Sequence, residues 1–164
     1  MSVETSAAIC VRWMSMPRDL GEVVAIERLS FAGAWDEDDF RRCARQRGCV
    51  GMVAVAGERI VGYAIYELRK SSLHLLNFAV HPAWRRLGVG CTMVEALAQK
   101  LIPHRRIRVT LDVRETNMPA ILFFRACGFL AVEVLRGFYQ DSGEDAYRME
   151  FRLPADVAKE VGLE

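Results

Sequence analysis

Two arginines and two glycines stand within six residues, in the order Arg85-Arg86-Leu87-Gly88-Val89-Gly90, and that grouping could bind an anion. Glycine lets an anion come close to the backbone. The unpaired N–H groups of a helix start point outward at it, and arginine adds charge. The chemistry implied is a phosphate cradle; the plain alternative is a glycine-rich turn with solvated arginines. Asp112 is a second candidate, as a proton acceptor. An unperturbed aspartate titrates at about 3.9 and is a poor base near neutrality, so burial would have to raise it. Its plain alternative is a solvated strand-end aspartate paired with Arg108 or Arg114, worth little energetically. His74 and Glu115 are reserve acceptors, although a lone histidine on a buried strand is more often a satisfied core residue.

These residues need elements to position them. Residues 73–80 are nearly continuous apolar sequence, as in a strand buried on both faces, and His81-Pro82 ends it. Val89, Met93, Ala96, Leu97 and Leu101 then recur at helical spacing, so Gly88 and Gly90 sit where a helix begins. Upstream, residues 9–14 read as a first strand. Pro17 opens a helix to about Ser30, with Leu20, Val23, Val24, Ile26 and Leu29 as its buried set. Phe31-Ala-Gly-Ala-Trp35 breaks it, and residues 36–46 form a polar second helix that Asp36 could cap. Residues 50–56 and 59–68 pair as a hairpin. Beyond Pro103, residues 106–113 alternate, with Ile107, Val109, Leu111 and Val113 on one face and Asp112 on the other. Asn117 leads a short helix that Gly128 stops. Residues 129–135 and 146–153 close the chain as a strand pair, joined by a polar, flexible connection. The order β-α-α-β-β-β-α-β-α-β-β predicts an α/β class, an α+β mixed sheet, mostly antiparallel, with helices on both faces.

Length and composition narrow the function classes. The 164 residues predict a single domain, its core at about 9–153 and residues 154–164 a tail. A net charge of +1 argues against a general nucleic-acid binder. Five scattered cysteines without a C-x-x-C pair indicate a reduced compartment and offer no metal site. The first nine residues lack the pattern of a signal peptide, and no stretch is long and apolar enough for a membrane span. The expectation is a cytoplasmic protein, monomer or homodimer, with residues 146–153 as an exposed sheet edge.

With these residues in this order, the chain resembles the GNAT superfamily of acetyl-CoA-dependent N-acetyltransferases. The resemblance runs from about Ile9 to Leu153 and rests on Arg85-Arg-Leu-Gly88-Val-Gly90 together with Asn117 opening a helix that ends in Cys127-Gly128-Phe129. Within the superfamily it is most similar to the RimI type, which acetylates protein N-termini. The matching runs are Leu76-Asn-Phe-Ala-Val-His-Pro82, Leu111-Asp-Val-Arg-Glu-Thr-Asn117, and Arg136-Gly-Phe-Tyr139 followed by Glu144-Asp-Ala146.

The resemblance implies acetyl-CoA as cofactor. Phe78, Ala79 and Val80 would offer backbone hydrogen bonds to the acetyl end and pantetheine arm. Arg86, Leu87, Gly88, Val89, Gly90 and Cys91 would surround the pyrophosphate, with Arg85 in the motif. Asn117 matches a cofactor-contacting asparagine, and its ordinary role is a helix cap. Asp112 matches the base, one methylene shorter than the usual glutamate. Phe124 stands where the RimI type carries a tyrosine that protonates the departing thiolate, so that role does not carry over; Tyr139, Tyr63 or a water are substitutes. Phe31 and Trp35 on one side, and Phe138 and Tyr139 on the other, would grip the acceptor. The alternative for Phe31 and Trp35 is a staple between two helices, and for Cys91 a small packing residue. The acceptor implied is a protein N-terminus; a small amine and a non-catalytic acyl-CoA-binding module are the other readings.

Overall fold

The computed structural model describes residues 8–163, so the signal-peptide expectation falls largely outside the described residues. Along the chain come β1 (Ile9–Trp13), α1 (Met16–Ser30), α2 (Glu37–Arg45), β2 (Cys49–Ala56), β3 (Arg59–Leu68), β4 (Ser72–Val80), a 3₁₀ turn (Pro82–Trp84), α3 (Val89–Gln99), β5 (Arg108–Arg114), α4 (Met118–Ala126), β6 (Leu130–Leu135), β7 (Ala146–Arg152) and α5 (Ala155–Glu160). This is the predicted order with one helix more. The segment expected as a tail forms α5 and buries Ala158 and Leu163. The strands hydrogen-bond in the order β1-β2-β3-β4-β5-β7-β6, and β4 with β5 is a parallel pair in a mostly antiparallel sheet. The edge is therefore β6, not β7. Ten residues between them let β7 return between β5 and β6, where both of its sides find ladder partners.

The chain forms two compact units. One holds the residues up to Glu67 together with Leu76–Ala96; the other holds Leu68–Leu75 and the residues from Leu97 on.

In the first unit, Leu20, Val23, Val24 and Ile26 of α1 and Phe40 and Cys43 of α2 share a core with Val53, Ile60, Tyr63, Ile65 and Ala79. Leu29 corrects the expectation, since it is 59% exposed. At about 100° per residue Leu29 lies roughly opposite Leu20, whereas Glu27 lies within about 20° of it. Glu27 takes the core position and is only 2% exposed. At the start of α1, Asp19 is buried in a two-bond fork from Arg12, at 2.7 and 2.9 Å, and also accepts the Ser15 N–H at 2.7 Å. At the start of α2, Asp36 and Asp39 form a reciprocal cap, while Arg41 and Arg42 pair with Glu37, Asp38 and Asp39. The acidic cluster at 36–39 is thus a capped and partly ion-paired helix start.

In the second unit, β4 meets β5 from Ser72 opposite Arg108 to Leu75 opposite Leu111. The antiparallel register of β5 on β7 sets Asp112 opposite Arg148. Val109, Leu111 and Val113 are buried as predicted. Phe123, Phe124, Phe129 and Phe151 form a chain of ring contacts with centroids 5.0, 5.3 and 5.8 Å apart. Gly128, with φ of 94°, ends α4 in the conformation glycine favours.

Candidate active site

The predicted cradle is a backbone construction within the first unit. Pro82 ends β4, as expected, by opening the 3₁₀ turn, which His81 caps through the Ala83 N–H at 3.1 Å. Arg86 and Gly88 both adopt left-handed backbone, at φ of 61° and 83°. α3 begins at Val89, and Thr92 donates to the Gly88 carbonyl at 3.0 Å. The amides of Val89 and Gly90 therefore precede the first donor of that turn and have no acceptor within the helix. Arg86, Leu87 and Gly88 are exposed, and the space where a Gly88 side chain would stand is open to at least 4 Å. This donor set suits a diphosphate, because helix-start amides favour anions and an open turn admits them. Acetyl-CoA carries such a group, so the residues present fit it.

Arg85 takes a different position from Arg86. Its Nε donates to the Val80 carbonyl at 3.1 Å and its Nη2 to Ser30 Oγ at 3.3 Å, so it ties the end of β4 to the end of α1. Cys91 is exposed in the first turn of α3. Gly62 of β3 carries no mark in the sequence. A Cβ there would stand 2.7 Å from Met93 Sδ and 3.1 Å from the Ala79 carbonyl oxygen. Its absence lets α3 lie close on β3 and β4, which brings the helix start to the end of β4.

The expected acceptor loop, 31–35, lies in the same unit. Trp35 packs edge-on against Phe40, with centroids 5.2 Å apart, while Phe31 is 40% exposed. The staple reading therefore fits Trp35, and Phe31 is left free to meet a ligand. Tyr63 is fully buried and donates to Glu27, so its hydroxyl is already engaged.

In the second unit, Asp112 accepts two hydrogen bonds from Arg148, Nε to Oδ1 at 2.9 Å and Nη2 to Oδ2 at 3.0 Å. Its partner is neither Arg108 nor Arg114. His74 is buried, bonds Thr110 Oγ1 at 2.7 Å and stands 3.6 Å from Asp112, a satisfied core histidine. A two-bond fork from a guanidinium fixes the plane of the carboxylate and engages one acceptor site on each oxygen. That arrangement fits an anchor better than a free proton acceptor. Glu115 accepts the Asp145 N–H at 3.4 Å. Asn117 caps α4 through the Ala120 N–H at 3.3 Å, so its ordinary role is realised. Phe124 is 7% exposed and packs edge-on against Phe123 and Phe129.

The connection expected to be flexible is tied down by charge. Arg114 pairs with Asp141 and Glu144, both at 3.0 Å, and Thr116 donates to Glu144 at 2.7 Å. Arg136 and the Gly137 N–H both bond Asp145. This network presents Phe138, 46% exposed, edge-on to Tyr139, whose ring lies 3.9 Å from the Arg114 guanidinium carbon. Among the described residues the Tyr139 hydroxyl has no hydrogen-bond partner. Burial pushes its pKa above the ordinary value of 10 against the opposing pull of Arg114, so it keeps its proton at neutral pH.

Residues 20–129 match the Acetyltransferase (GNAT) family, and the chain belongs to it. It is accordingly an acetyltransferase, of a family that binds acetyl-CoA. It is 31% identical over 144 residues to an N-alpha-acetyltransferase of Sulfurisphaera tokodaii, covering 80% of this chain and 86% of that protein. It is 28% identical over 121 residues to a [ribosomal protein bS18]-alanine N-acetyltransferase of Salmonella typhimurium, covering 74% and 81%. Among solved structures it resembles Ard1 from Thermoplasma volcanium with a TM-score of 0.79 at 27% identity, covering 89% and 98%.

Sequence reasoning misses Arg148 and Glu27. The signal for Glu27 is its angle on α1, within the apolar stripe. Arg148 has none, because only the β5–β7 register brings it opposite Asp112.

Proposed function

We propose that this protein moves an acetyl group from acetyl-CoA to the α-amine at the N-terminus of a protein or peptide. The observation that carries the proposal is the left-handed turn at Arg86 and Gly88 leading into α3, where the Val89 and Gly90 amides have no acceptor within the helix. The choice of acceptor is supported by the relatives, an N-alpha-acetyltransferase and a [ribosomal protein bS18]-alanine N-acetyltransferase.

Acetyl-CoA supplies a thioester whose carbonyl carbon takes the amine nitrogen as the C–S bond breaks. An α-amine has a pKa of about 7.7–8.0, so roughly a quarter is already neutral at pH 7.4, against about one part in a thousand of a lysine. The chain therefore needs little base, and Asp112 can serve as an anchor for β5 and β7 with a water taking the proton. Tyr139 keeps its proton through neutral pH and has a free hydroxyl, the form that can donate to a thiolate. Phe31 in the first unit is an exposed apolar surface, and in the second unit Phe138 stands beside Tyr139 and its hydroxyl; each is a surface of the kind that suits a short peptide. No helix among the described residues is long and apolar enough to cross a membrane, and a cytoplasmic location accords with the proposed substrate.

The test is free-thiol release from acetyl-CoA against N-terminal peptides, lysine peptides and small amines. Turnover with N-terminal peptides at least tenfold above the other classes is expected. Turnover confined to small amines, or tight acetyl-CoA binding with no turnover, would overturn the proposal.

A further inference from the structure

Glu27 is a buried carboxylate that nothing in the proposed chemistry uses. It lies in the last turns of α1, 2% exposed, and among the described residues no cation pairs with it. Its Oε1 accepts the Trp35 N–H at 3.0 Å. Its Oε2 accepts the Tyr63 hydroxyl and the Asn77 Nδ2–H, the latter at 2.9 Å. Tyr63 also reaches Asn77 Oδ1 at 3.3 Å. The backbone of Glu27 takes part as well, since its carbonyl accepts the Phe31 N–H at 3.0 Å. One residue therefore holds both ends of the 31–35 loop, Phe31 through its carbonyl and Trp35 through its carboxylate.

The same carboxylate joins that loop to the sheet. Tyr63 is on β3, and Asn77 is on β4 next to Phe78, the first of the residues expected along the acyl arm. The ring of Phe40 stands between Trp35 and Tyr63, edge-on to both at 5.2 and 5.7 Å, which closes a circuit of contacts around Glu27. A second tie runs beside it. Arg85 links the Val80 carbonyl to Ser30, and Ser30 Oγ donates to the Ile26 carbonyl at 2.7 Å. The loop is thus fastened to β4 near both Asn77 and Val80.

We infer that Glu27 is a positioning residue for the acceptor: by accepting from Trp35, Tyr63 and Asn77 it fixes the 31–35 loop relative to the strand along which the acyl arm lies. A buried acceptor of three hydrogen bonds is costly to keep and specific in geometry, which suits a part that must hold a loop to within a fraction of an ångström. Burial raises the Glu27 pKa while the Trp35 and Asn77 donors oppose it, as expected of a carboxylate held in place by hydrogen bonds alone. The inference rests on the peptide-acetyltransferase reading for its functional consequence, but not for the positioning itself.

The test separates the two. Glu27→Met keeps the volume and removes both acceptor oxygens with their three hydrogen bonds, Glu27→Gln keeps one oxygen for Trp35, and Tyr63→Phe removes one donor. Amide hydrogen exchange over residues 31–36 needs no activity. It should speed up at least tenfold in Glu27→Met and at least threefold in Tyr63→Phe, and return most of the way in Glu27→Gln. With an N-terminal peptide as acceptor, KM should rise at least tenfold in Glu27→Met with kcat changed less than threefold, and calorimetric acetyl-CoA affinity should stay within twofold. Wild-type exchange in whichever of Glu27→Met and Tyr63→Phe is soluble would overturn the inference. So would faster exchange with an unchanged peptide KM in a protein that acetylates peptides. A wild-type protein that turns over no peptide would instead sink the functional reading and leave the exchange result to decide on Glu27.

Discussion

The cradle and the carboxylate clusters are built in opposite ways. The cradle is contiguous: Pro82 to Gly90 make it from their own backbone, with two left-handed residues setting the direction of the amides. The Glu27 cluster gathers residues 8, 36 and 50 positions apart, and the Asp112 fork joins residues 36 apart. A contiguous backbone device works once its local conformation forms. A distributed cluster works only when a helix, a loop and two strands are already in register. Cofactor binding should therefore tolerate changes in packing that acceptor binding and stability do not.

The largest effect expected from breaking this contrast is at Gly88. A β-branched side chain at a φ of 83° is strained, so Gly88→Val must re-form the turn and misdirect its amides. Acetyl-CoA affinity measured by calorimetry should fall about 100-fold, or about 2.8 kcal/mol, with little change in the unfolding midpoint. Unchanged affinity would mean that the backbone there is not the binder.

The Asp112 fork should show the reverse pattern. Arg148→Met strands a carboxylate that is only 10% exposed, and should lower stability to urea by about 2 kcal/mol; the figure is below that for a fully buried pair because Arg148 keeps part of its surface in water. Asp112→Asn should cost less, and the two variants should lower kcat by similar, modest factors. A loss of about 10²–10⁴ in kcat confined to Asp112→Asn would mark Asp112 as the base after all.

Asp19 offers the mildest comparison, a fork made by residues only seven apart. Its hydrogen bonds to Arg12 hold its pKa down to about 2, from 3.8. A depressed carboxylate contributes stability above its unfolded pKa and loses it as pH falls through the folded value. That contribution is at most about 2.5 kcal/mol, present at neutral pH and lost between about pH 4 and pH 2. Asp19→Asn should flatten the urea stability profile across that window. An unchanged slope there would show that the fork does not hold the carboxyl down.

Local devices are legible in the chain itself. Pro82 as the strand exit, the Asp36 and Asn117 caps, Gly128 as a helix stop and the glycines of the cradle all act within a few residues of themselves. Glu27 is half legible: its angle on α1 places it in the core, yet an apolar count passes over a charged residue and admits Leu29 instead. The Arg148 partner of Asp112 is not legible, nor is the position of β7 inside the sheet.

By itself the sequence determined most of the elements, their order and the glycine turn that opens α3, because hydrophobic period, proline, glycine and caps act over one or two turns of chain. Tertiary structure alone decided which cation clamps Asp112, which carboxylate holds the 31–35 loop, and which strand is left at the edge. Those outcomes depend on strand register and on side chains meeting across tens of residues, and no local rule of the chain specifies them.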